Sequence, residues 1–458
     1  MNILVLNGSP AGKDSITLYT ILYIQKHFPE HQYDILHVGQ QIRKLEKDQG
    51  AWAGLLQKAD LIVFCYPVYT FLAPAQLHRF IELVKESGMD LKGKYATQLT
   101  TSKHFYDVTA HQFIQDNCAD LGLRYIRGLS ADMEDLLHEQ GQREALAFFR
   151  YVLWNMERGF EEPVPGQALP FQPEPVTPEA EKLSVPAPRR IVIVADDSHS
   201  EENRLQAMCE RLKNRLPCDT EIINIQDFPF AGGCLGCFHC AADGQCVYKD
   251  GFDTYLREHI QTADGLVYAY TIKDHSMGYR FKLFDDRQFC NGHRTVTMGK
   301  PVGYLVDGCL DAEPNLRMLM ESRAQVGGNT LAGIACNQHA PDRAIDQLAE
   351  TLCYIVTQNY QPPRNFYGVG GLKIFRDLIW QMQGLMKADH KFYKQHGFYD
   401  FPQKRRGTMM AMYLVGGMMG SEKLRKKLGG RITEGMIGPY KKVLANAQEG
   451  KTPDPPEA

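Results

Sequence analysis

Four closely spaced cysteines are the residues in this chain with the clearest chemistry: Cys234, Cys237, Cys240 and Cys246 lie within thirteen positions. Thiolates at this spacing can converge on one small soft metal centre, and sets of four cysteines hold both 4Fe–4S clusters and structural zinc. Zinc sites usually pair C-x-x-C knuckles that lie far apart in the sequence, so the spacing favours an iron–sulfur cluster. Because the last gap is longer than usual and Val247 rather than proline follows it, zinc or an empty site stays open.

A second candidate site is the loop LNGSPAGKDSIT, which follows the first apolar run of the chain. Ser9, Ser15 and Thr17 supply hydroxyl groups, and Lys13 supplies a positive charge. A helix that starts near Ser15 would point its free N–H groups back at the loop and create an anion site. The loop has neither the Walker order nor G-x-G-x-x-G, so it suits a monophosphate such as that of FMN. A well-capped helix without any ligand would explain the same residues.

Two more loops follow the third and fourth predicted strands, at residues 65–71 and 100–104. Pro67 stiffens the first of them, and its backbone amides and aromatic rings could cover a flat isoalloxazine ring. Ligands of open α/β sheets bind outside the carboxyl ends of the strands. We therefore expect three polar or aromatic loops to converge on one rim of the sheet.

The elements that would position these loops alternate between short apolar runs and amphipathic helices over residues 1–160. Continuous apolar strands separated by helices predict a parallel sheet that is covered on both faces. The predicted strands span residues 2–7, 33–38, 60–65 and 95–100, and the clearest helices span Ser15–His27 and Ala75–Glu86.

The same pattern restarts after residues 161–188, which hold eight of the chain's 24 prolines and predict an extended linker. The segment from Ala263 sits where the first half has the segment from Ala59, so we expect an internal duplication with a second domain over residues 189–360. Only this second copy carries the cysteine run. Its predicted strands include residues 190–196, 220–225, 300–308 and 330–336.

Residues 361–458 form a predicted helical extension rich in methionine and aromatic residues. Its segment TMMAMYLVGGMMG lies between basic clusters at Lys404–Arg406 and Lys423–Lys427. Such a segment could touch a membrane surface. Packing over the domains or over a second subunit is favoured instead, because Gly416 and Gly417 would weaken a free-standing helix.

Composition excludes several other classes of protein. The net charge of −3 gives no electrostatic case for nucleic-acid binding, and no apolar run reaches membrane-spanning length. The N-terminus opens directly into an apolar strand rather than a signal peptide. We therefore expect a cytoplasmic protein in a reducing compartment, in which the other eight cysteines are mostly small buried hydrophobes.

Taken together, NGSPAGKDSIT, ADLIVFCYPVYTFLAPAQLHRFIE and the cysteine run resemble the flavodoxin-like NAD(P)H-dependent FMN reductase superfamily, and within it the iron–sulfur flavoproteins. The resemblance covers roughly residues 1–130 and 190–345. It implies two flavodoxin-like doubly wound parallel sheets, bound FMN, and a 4Fe–4S cluster on the four cysteines. The residues implied to hold FMN are Ser9, Pro10, Lys13, Ser15, Ile16, Thr17, Pro67, Val68, Tyr69, Thr70, Phe71, Thr101 and Ser102.

The chain departs from the family in one respect, because the phosphate loop and the cysteine run stand in different copies. The first loop of copy two reads ADDSHSEENR, in which Asp196, Asp197, Glu201 and Glu202 would repel a phosphate. Its second loop, TIKDHSMGYR, lacks the Pro-x-Tyr step. We therefore expect a fused pseudo-dimer with FMN in copy one and the cluster in copy two.

The implied function is an FMN- and iron–sulfur-dependent oxidoreductase that moves electrons between NAD(P)H or ferredoxin and a small-molecule acceptor. Alternatives are an electron-transfer flavoprotein that serves a protein partner, and a regulatory or structural binder in which both sites are degenerate. Because the cofactors carry the chemistry, no catalytic residue is assigned, and a homo-oligomer is compatible with the pattern. His104 and Tyr106 could donate a proton, but a solvent-exposed or packing role is favoured for each. The run Asp285–Arg287 is interpreted as a capped or salt-linked helix face.

Overall fold

The computed structural model describes residues 1–104, 107–163, 171–198 and 203–419, together with residues 437, 440, 441 and 443–445. Tyr106, Glu201, Glu202 and Lys423–Lys427, all singled out above, lie outside the described residues. The chain divides into two compact units, Met1–His396 and Gly397–Ala458.

The first half of the larger unit is a parallel sheet with the strand order β2-β1-β3-β4-β5, in which β6 also pairs with β4. The central strand β3 is apolar and buried along almost its whole length, as expected where helices cover both faces. The strands are β1 (Asn2–Asn7), β2 (Gln32–Leu36), β3 (Leu61–Pro67), β4 (Tyr95–Ser102), β5 (Arg124–Tyr125) and β6 (Leu129–Asp132). The helices are α1 (Ile16–His27), α2 (Val38–Leu45), α3 (Ala53–Lys58), α4 (Ala75–Glu86), α5 (Val108–Asp120) and α6 (Glu139–Arg158).

The second half repeats this topology, with the parallel order β8-β7-β9-β10-β11. Counted within each half, both sheets follow the order 2-1-3-4-5 of flavodoxin-like folds, which confirms the predicted fold class. The strands are β7 (Arg190–Ala195), β8 (Asp219–Asn224), β9 (Gly265–Thr271), β10 (Pro301–Asp307) and β11 (Thr330–Cys336). The helices are α7 (Arg204–Arg215), α8 (Cys240–Asp243), α9 (Phe252–Tyr255), α10 (Gly278–Arg287), α11 (Pro314–Gly327), α12 (Pro341–Thr357), α13 (Phe366–Gln381) and α14 (Lys387–Gln395).

The two halves pack against each other through helices α4 and α10 and through α5 and α11. A carboxylate from each half caps the facing helix of the other. Glu82 Oε1 accepts a hydrogen bond from the backbone N–H of Tyr279, and Asp286 Oδ2 accepts one from Ala75, both at 2.8 Å. Glu82 lies 23 residues after Ala59, and Asp286 lies 23 residues after Ala263, so the two carboxylates occupy equivalent positions of the repeated segments. Such reciprocal contacts between equivalent positions are typical of a two-fold dimer, here within one chain.

Within residues 361–419 the described chain contains helices α13, α14 and α15 (Arg406–Met419), so C-terminal helices are present as predicted. Helices α13 and α14 belong to the larger unit, whereas α15 belongs to the smaller one. Met409, Met410, Met412, Tyr413 and Leu414 on α15 are exposed. Within the part of the chain that the structure describes, no helix combines the length and apolar composition needed to cross a bilayer.

A histidine held between two carboxylates links the two halves of the larger unit. His275 Nδ1 lies 3.0 Å from Glu313, and its Nε2 lies 3.0 Å from Asp120, which Lys85 also contacts. Burial opposes the charged imidazolium, but the hydrogen bonds to Asp120 and Glu313 outweigh it and raise the pKa of His275 to about 10. The folded pKa thus exceeds the unfolded value of about 6.5.

We therefore expect His275 to contribute its full stabilisation below about pH 6.5 and to lose it as the pH rises to about 10. Between these limits, urea denaturation should show that the unfolding free energy of the wild type falls as the pH rises, and that it falls less in His275→Gln. Equal pH slopes for the two proteins would contradict this assignment.

Candidate functional site

Three loops meet at the carboxyl edge of the first sheet, as predicted. The backbone N–H of Gly8 donates to the carbonyl of Cys65 at 2.8 Å, which joins the loops after β1 and β3. Val68 N–H donates to the carbonyl of Thr101 at 3.0 Å, and the hydroxyls of Thr17 and Thr101 lie 2.6 Å apart. The predicted residues of the first and third loops are therefore in direct contact.

The loop after β1 is shaped by Asn7, a buried residue that sequence reasoning missed. Its Nδ2 donates to the Gly12 carbonyl at 2.7 Å and lies 3.0 Å from His37 Nδ1, while its Oδ1 accepts from Ser9 N–H at 3.2 Å. Ser9 Oγ in turn accepts from Ala11 N–H at 3.3 Å. A short amide side chain at the end of a strand, followed by glycine, is the signal that could have identified it.

The start of α1 fits the phosphate of FMN. Within the described part of the chain, the Ser15 side chain makes no capping hydrogen bond, so the N–H groups of the first turn are not occupied by it. Helix N-termini of this kind bind anions. The hydroxyl residues Ser9, Ser15 and Thr17 are buried around this point with Pro10, whereas Lys13 and Ile16 are exposed at the rim.

Two glycines allow the close approach that holds this loop. A Cβ on Gly8 would lie 2.8 Å from the Leu77 side chain, and a Cβ on Gly39 would lie 2.3 Å from the Gly8 carbonyl oxygen. Gly39 is the second residue of α2, so this helix presses directly against the loop backbone. The conformation of the loop after β1 therefore depends on α2, a helix that carries no predicted site residue.

The loop after β3 forms a tight turn in which Tyr69 and Leu72 exchange backbone hydrogen bonds of 2.8 and 2.9 Å. Thr70 and Phe71 have φ angles of 45° and 68°, a left-handed conformation that is uncommon for residues other than glycine. Pro67 and Val68 lie beside Thr101 near the end of β4, and Phe71 is buried.

Tyr69 and Thr70 of this turn contact the second half of the chain. The Lys282 ammonium donates to the carbonyl of Tyr69 at 3.0 Å and to Thr70 Oγ1 at 2.8 Å. The predicted flavin loop is thus divided between the rim and the interface of the halves.

The cysteine loop of the second half lies against this turn of the first. A Cβ on Gly236 would lie 1.9 Å from the Tyr69 hydroxyl oxygen, and Gln76 Nε2 donates to the carbonyl of Cys234 at 3.2 Å. The Tyr69 ring also packs edge-on against Phe289, with ring centroids 5.6 Å apart. The two sites predicted in separate copies are therefore neighbours.

The four thiols suit a soft metal by type but not by their placement. Cys240 Sγ donates to the Phe289 carbonyl at 3.1 Å, and Cys234 Sγ accepts from Gly236 N–H at 3.5 Å. Burial, reinforced by Cys237 and Cys246, raises the pKa of Cys240 to about 11, which describes a neutral thiol. Among the described residues, no three His, Cys, Asp or Glu side chains are grouped closely enough to hold a metal ion.

Arg287 is a second residue whose role the sequence did not reveal. It is 1% exposed, donates to the Gly232 carbonyl at 2.9 Å, and forms two hydrogen bonds of 2.7 Å with Asp250. Its Nη2 lies 3.9 Å from Cys246 Sγ, and its guanidinium stacks on the Tyr248 ring. The run 285–287 is salt-linked as interpreted, but it is buried, and its Arg287 contacts the cysteine loop on both sides of the cysteines.

The equivalent rim of the second half is filled by its own side chains. Thr101 pairs with Pro67 at the end of β3, and Asp307 pairs with Thr271 at the end of β9. Since β3 and β9 are the equivalent strands of the two halves, Asp307 stands where the first half has Thr101. Arg204, the first residue of α7, donates to Asp307 Oδ1 at 3.0 Å. Thr271 and Asn337 also donate to this carboxylate, at 3.1 and 2.6 Å. A buried carboxylate that is already paired leaves no place for a phosphate.

Comparison with known proteins covers parts of the chain. Residues 1–131 match a family model described as a flavodoxin-like fold. The iron-sulfur flavoprotein of Archaeoglobus fulgidus is 24% identical over 176 residues, which are 36% of this chain and 79% of that protein.

Solved structures that are similar to one part of the chain include two reductases. The NAD(P)H:quinone oxidoreductase of Methanothermobacter marburgensis is 15% identical, with a TM-score of 0.27 over 35% of this chain and 98% of its own. An FMN-dependent NADH-azoreductase of Bacillus anthracis in complex with FMN is 14% identical, with a TM-score of 0.26 over 34% and 99%. The family model agrees with the strand order of the first half.

Proposed function

We propose that this protein is an NAD(P)H-dependent flavin oxidoreductase that binds FMN in its first half and passes electrons to a small-molecule acceptor. The observation that carries the proposal is the convergence of the Ser9–Thr17 loop, the Pro67–Phe71 loop and Thr101 at one carboxyl edge. The names of the similar reductases support the same class of donor and acceptor.

The chain's own residues would bind and orient the cofactor. Ser9, Ser15 and Thr17, with the first N–H groups of α1, would hold the phosphate, and the loops at Pro67 and Thr101 would flank the ring. Bound FMN accepts two electrons as a hydride and can release them singly. His104, half-exposed and 3.5 Å from Asp135, is a group at this rim that can hold a proton.

The second part of the proposal concerns the cysteine loop, for which we propose a 4Fe–4S cluster. The supporting facts are four thiols within thirteen residues, their contact with the Tyr69 turn, and the name of the Archaeoglobus fulgidus relative. Cluster assembly would require the four thiols, which are not grouped among the described residues, to converge, and the Cys240 thiol to give up its hydrogen bond to Phe289. Zinc is the other metal that this donor set could bind.

Cofactor analysis of the anaerobically purified protein tests both parts. Because the Arg204–Asp307 pair fills the rim of the second half, we expect one FMN per chain rather than two. Cluster assembly predicts about four iron atoms per chain. Two flavins would contradict the assignment of the second rim, a chain without flavin would overturn the proposed function, and zinc without iron would overturn the cluster alone.

Electron transfer to a protein partner is the alternative function, and one observation favours it. Cys237 is exposed, and the apolar side chains of Leu235 and Phe238 are exposed on either side of it. Rapid oxidation of the reduced protein by ferredoxin, without turnover of quinone or azo compounds under NAD(P)H, would support this carrier role. Turnover of a small acceptor would support the enzyme.

A further inference from the structure

A buried ion pair of the second half reaches across the interface to the predicted flavin turn of the first. Lys282 and Asp286 of α10 are both completely buried and form a salt bridge with each other. Lys282 donates to the Tyr69 carbonyl and to Thr70 Oγ1, while Asp286 accepts from Thr70 Oγ1 at 3.0 Å and from the N–H of Ala75 at 2.8 Å. The pair therefore holds both ends of the segment Tyr69–Ala75.

Stability alone does not explain why such a pair is present. Removing two charges from water costs about as much as their attraction returns, and well-packed apolar residues often serve as well or better. The segment that the pair holds does need support, because Thr70 and Phe71 have left-handed backbone conformations at φ 45° and 68°. Strained residues persist only when their surroundings fix them.

The mirror position in the other half provides an internal comparison. His78 and Glu82 of α4 stand at the positions equivalent to Lys282 and Asp286. Glu82 caps α10 and pairs with Lys273 at 3.0 Å, but Lys273 is half-exposed rather than buried. The turn on that side follows β9, and the rim it belongs to is filled by Arg204 and Asp307. Of these two ion pairs, Lys282–Asp286 is the buried one and faces the half with an anion-binding loop, whereas Lys273–Glu82 is partly exposed and faces the half whose rim is filled.

We propose that Lys282 and Asp286 are positioning residues that the second half contributes to the flavin site of the first. This inference rests on the proposed function. In this arrangement the second copy, whose own rim is closed, completes the site of its fused partner by fixing the Tyr69–Ala75 segment. FMN affinity would then depend on side chains that contact the turn rather than the cofactor.

The test compares two charge-removing double variants of the full chain, Lys282→Met/Asp286→Leu and the control Lys273→Met/Glu82→Met at the opposite contact between the halves. The first variant removes a complete buried pair. In the control, Arg79 loses its contact with Glu82 but keeps Glu46 and Glu86, so neither variant leaves an uncompensated buried charge. FMN dissociation constants from flavin fluorescence titration, the visible circular dichroism of bound flavin and the melting temperature would be measured for each. We expect the first variant to bind FMN about tenfold or more weakly, with an altered dichroism band, and the control to bind within about twofold of the wild type.

The outcomes separate this inference from the function on which it rests. If the wild type binds FMN and both variants bind it equally well, the positioning role is wrong and the function stands. If both variants weaken binding and melt equally early, the pair supports the interface in general, which also overturns the inference. A wild type that binds no FMN overturns the function and the inference together.

Discussion

Gly39→Ala is expected to weaken FMN binding by at least about 100-fold, although the substituted residue does not belong to the predicted flavin loops. A Cβ at this position would lie 2.3 Å from the Gly8 carbonyl oxygen and 2.4 Å from the carbonyl carbon of Ser9. Both are backbone atoms, so they cannot swing away as the end of a flexible side chain can. Either α2 or the loop must move by about 1 Å, and displacements of that size are enough to disable a positioned site.

A matched control exists in the neighbouring helix. Gly54 is also the second residue of a short helix, α3, but a Cβ there meets nothing within 4 Å. Gly54→Ala should leave FMN affinity unchanged and, if anything, stabilise the helix slightly. Fluorescence titration of both variants measures the difference. Equal affinities in Gly39→Ala and Gly54→Ala would show that the FMN phosphate does not bind at the loop after β1.

Much of the fold could be predicted because its signals are local. The runs Asn2–Asn7 and Thr330–Cys336 and the helix Ala75–Glu86 have the predicted bounds, since apolar strands and amphipathic helices are visible within a short window. The duplication was visible for the same reason, because two similar segments repeat the same order of strands. The three loops could be assigned to one edge since parallel strands all end on the same side.

The contacts that hold the site could not be predicted, because they join residues far apart in the chain. Nothing near Lys282 in the sequence indicates that it reaches Thr70, 212 positions away. Gly39 is a similar case, since its closeness to Gly8 depends on how α2 packs beside β1. Short-range patterns establish which elements form but not which side chains meet between them.

The cysteine run shows a different limit of sequence reasoning. Spacing identifies four possible ligands, but it does not determine the direction in which each side chain points. In the structure Cys240 donates its hydrogen bond to Phe289, while Cys237 is exposed to solvent. The loop is held by Arg287, 41 positions beyond Cys246, and such an anchor has no signature in the cysteine motif itself.

This anchor leads to the second large effect, which is expected from Arg287→Met. The change would leave the Asp250 carboxylate, which is 7% exposed in its side chain, without the guanidinium that makes two hydrogen bonds of 2.7 Å with it. Breaking a buried pair by removing one partner typically costs about 3–5 kcal/mol of unfolding free energy. The Gly232 carbonyl and Cys246 would lose their contact with the same group, so the cysteine loop should loosen as well.

Urea denaturation would measure the loss of stability, and the rate of thiol alkylation at Cys246 would measure the loosening of the loop. Arg317→Met is the matched control, because Arg317 and its partner Asp311 are 50% and 58% exposed and such surface pairs contribute at most about 1 kcal/mol. The control should therefore unfold almost as the wild type does and should leave alkylation of Cys246 unchanged. If Arg287→Met lost no more stability than Arg317→Met, the guanidinium would not be the anchor of the loop. The fixed conformation of the cysteine loop would then have to come from its backbone alone.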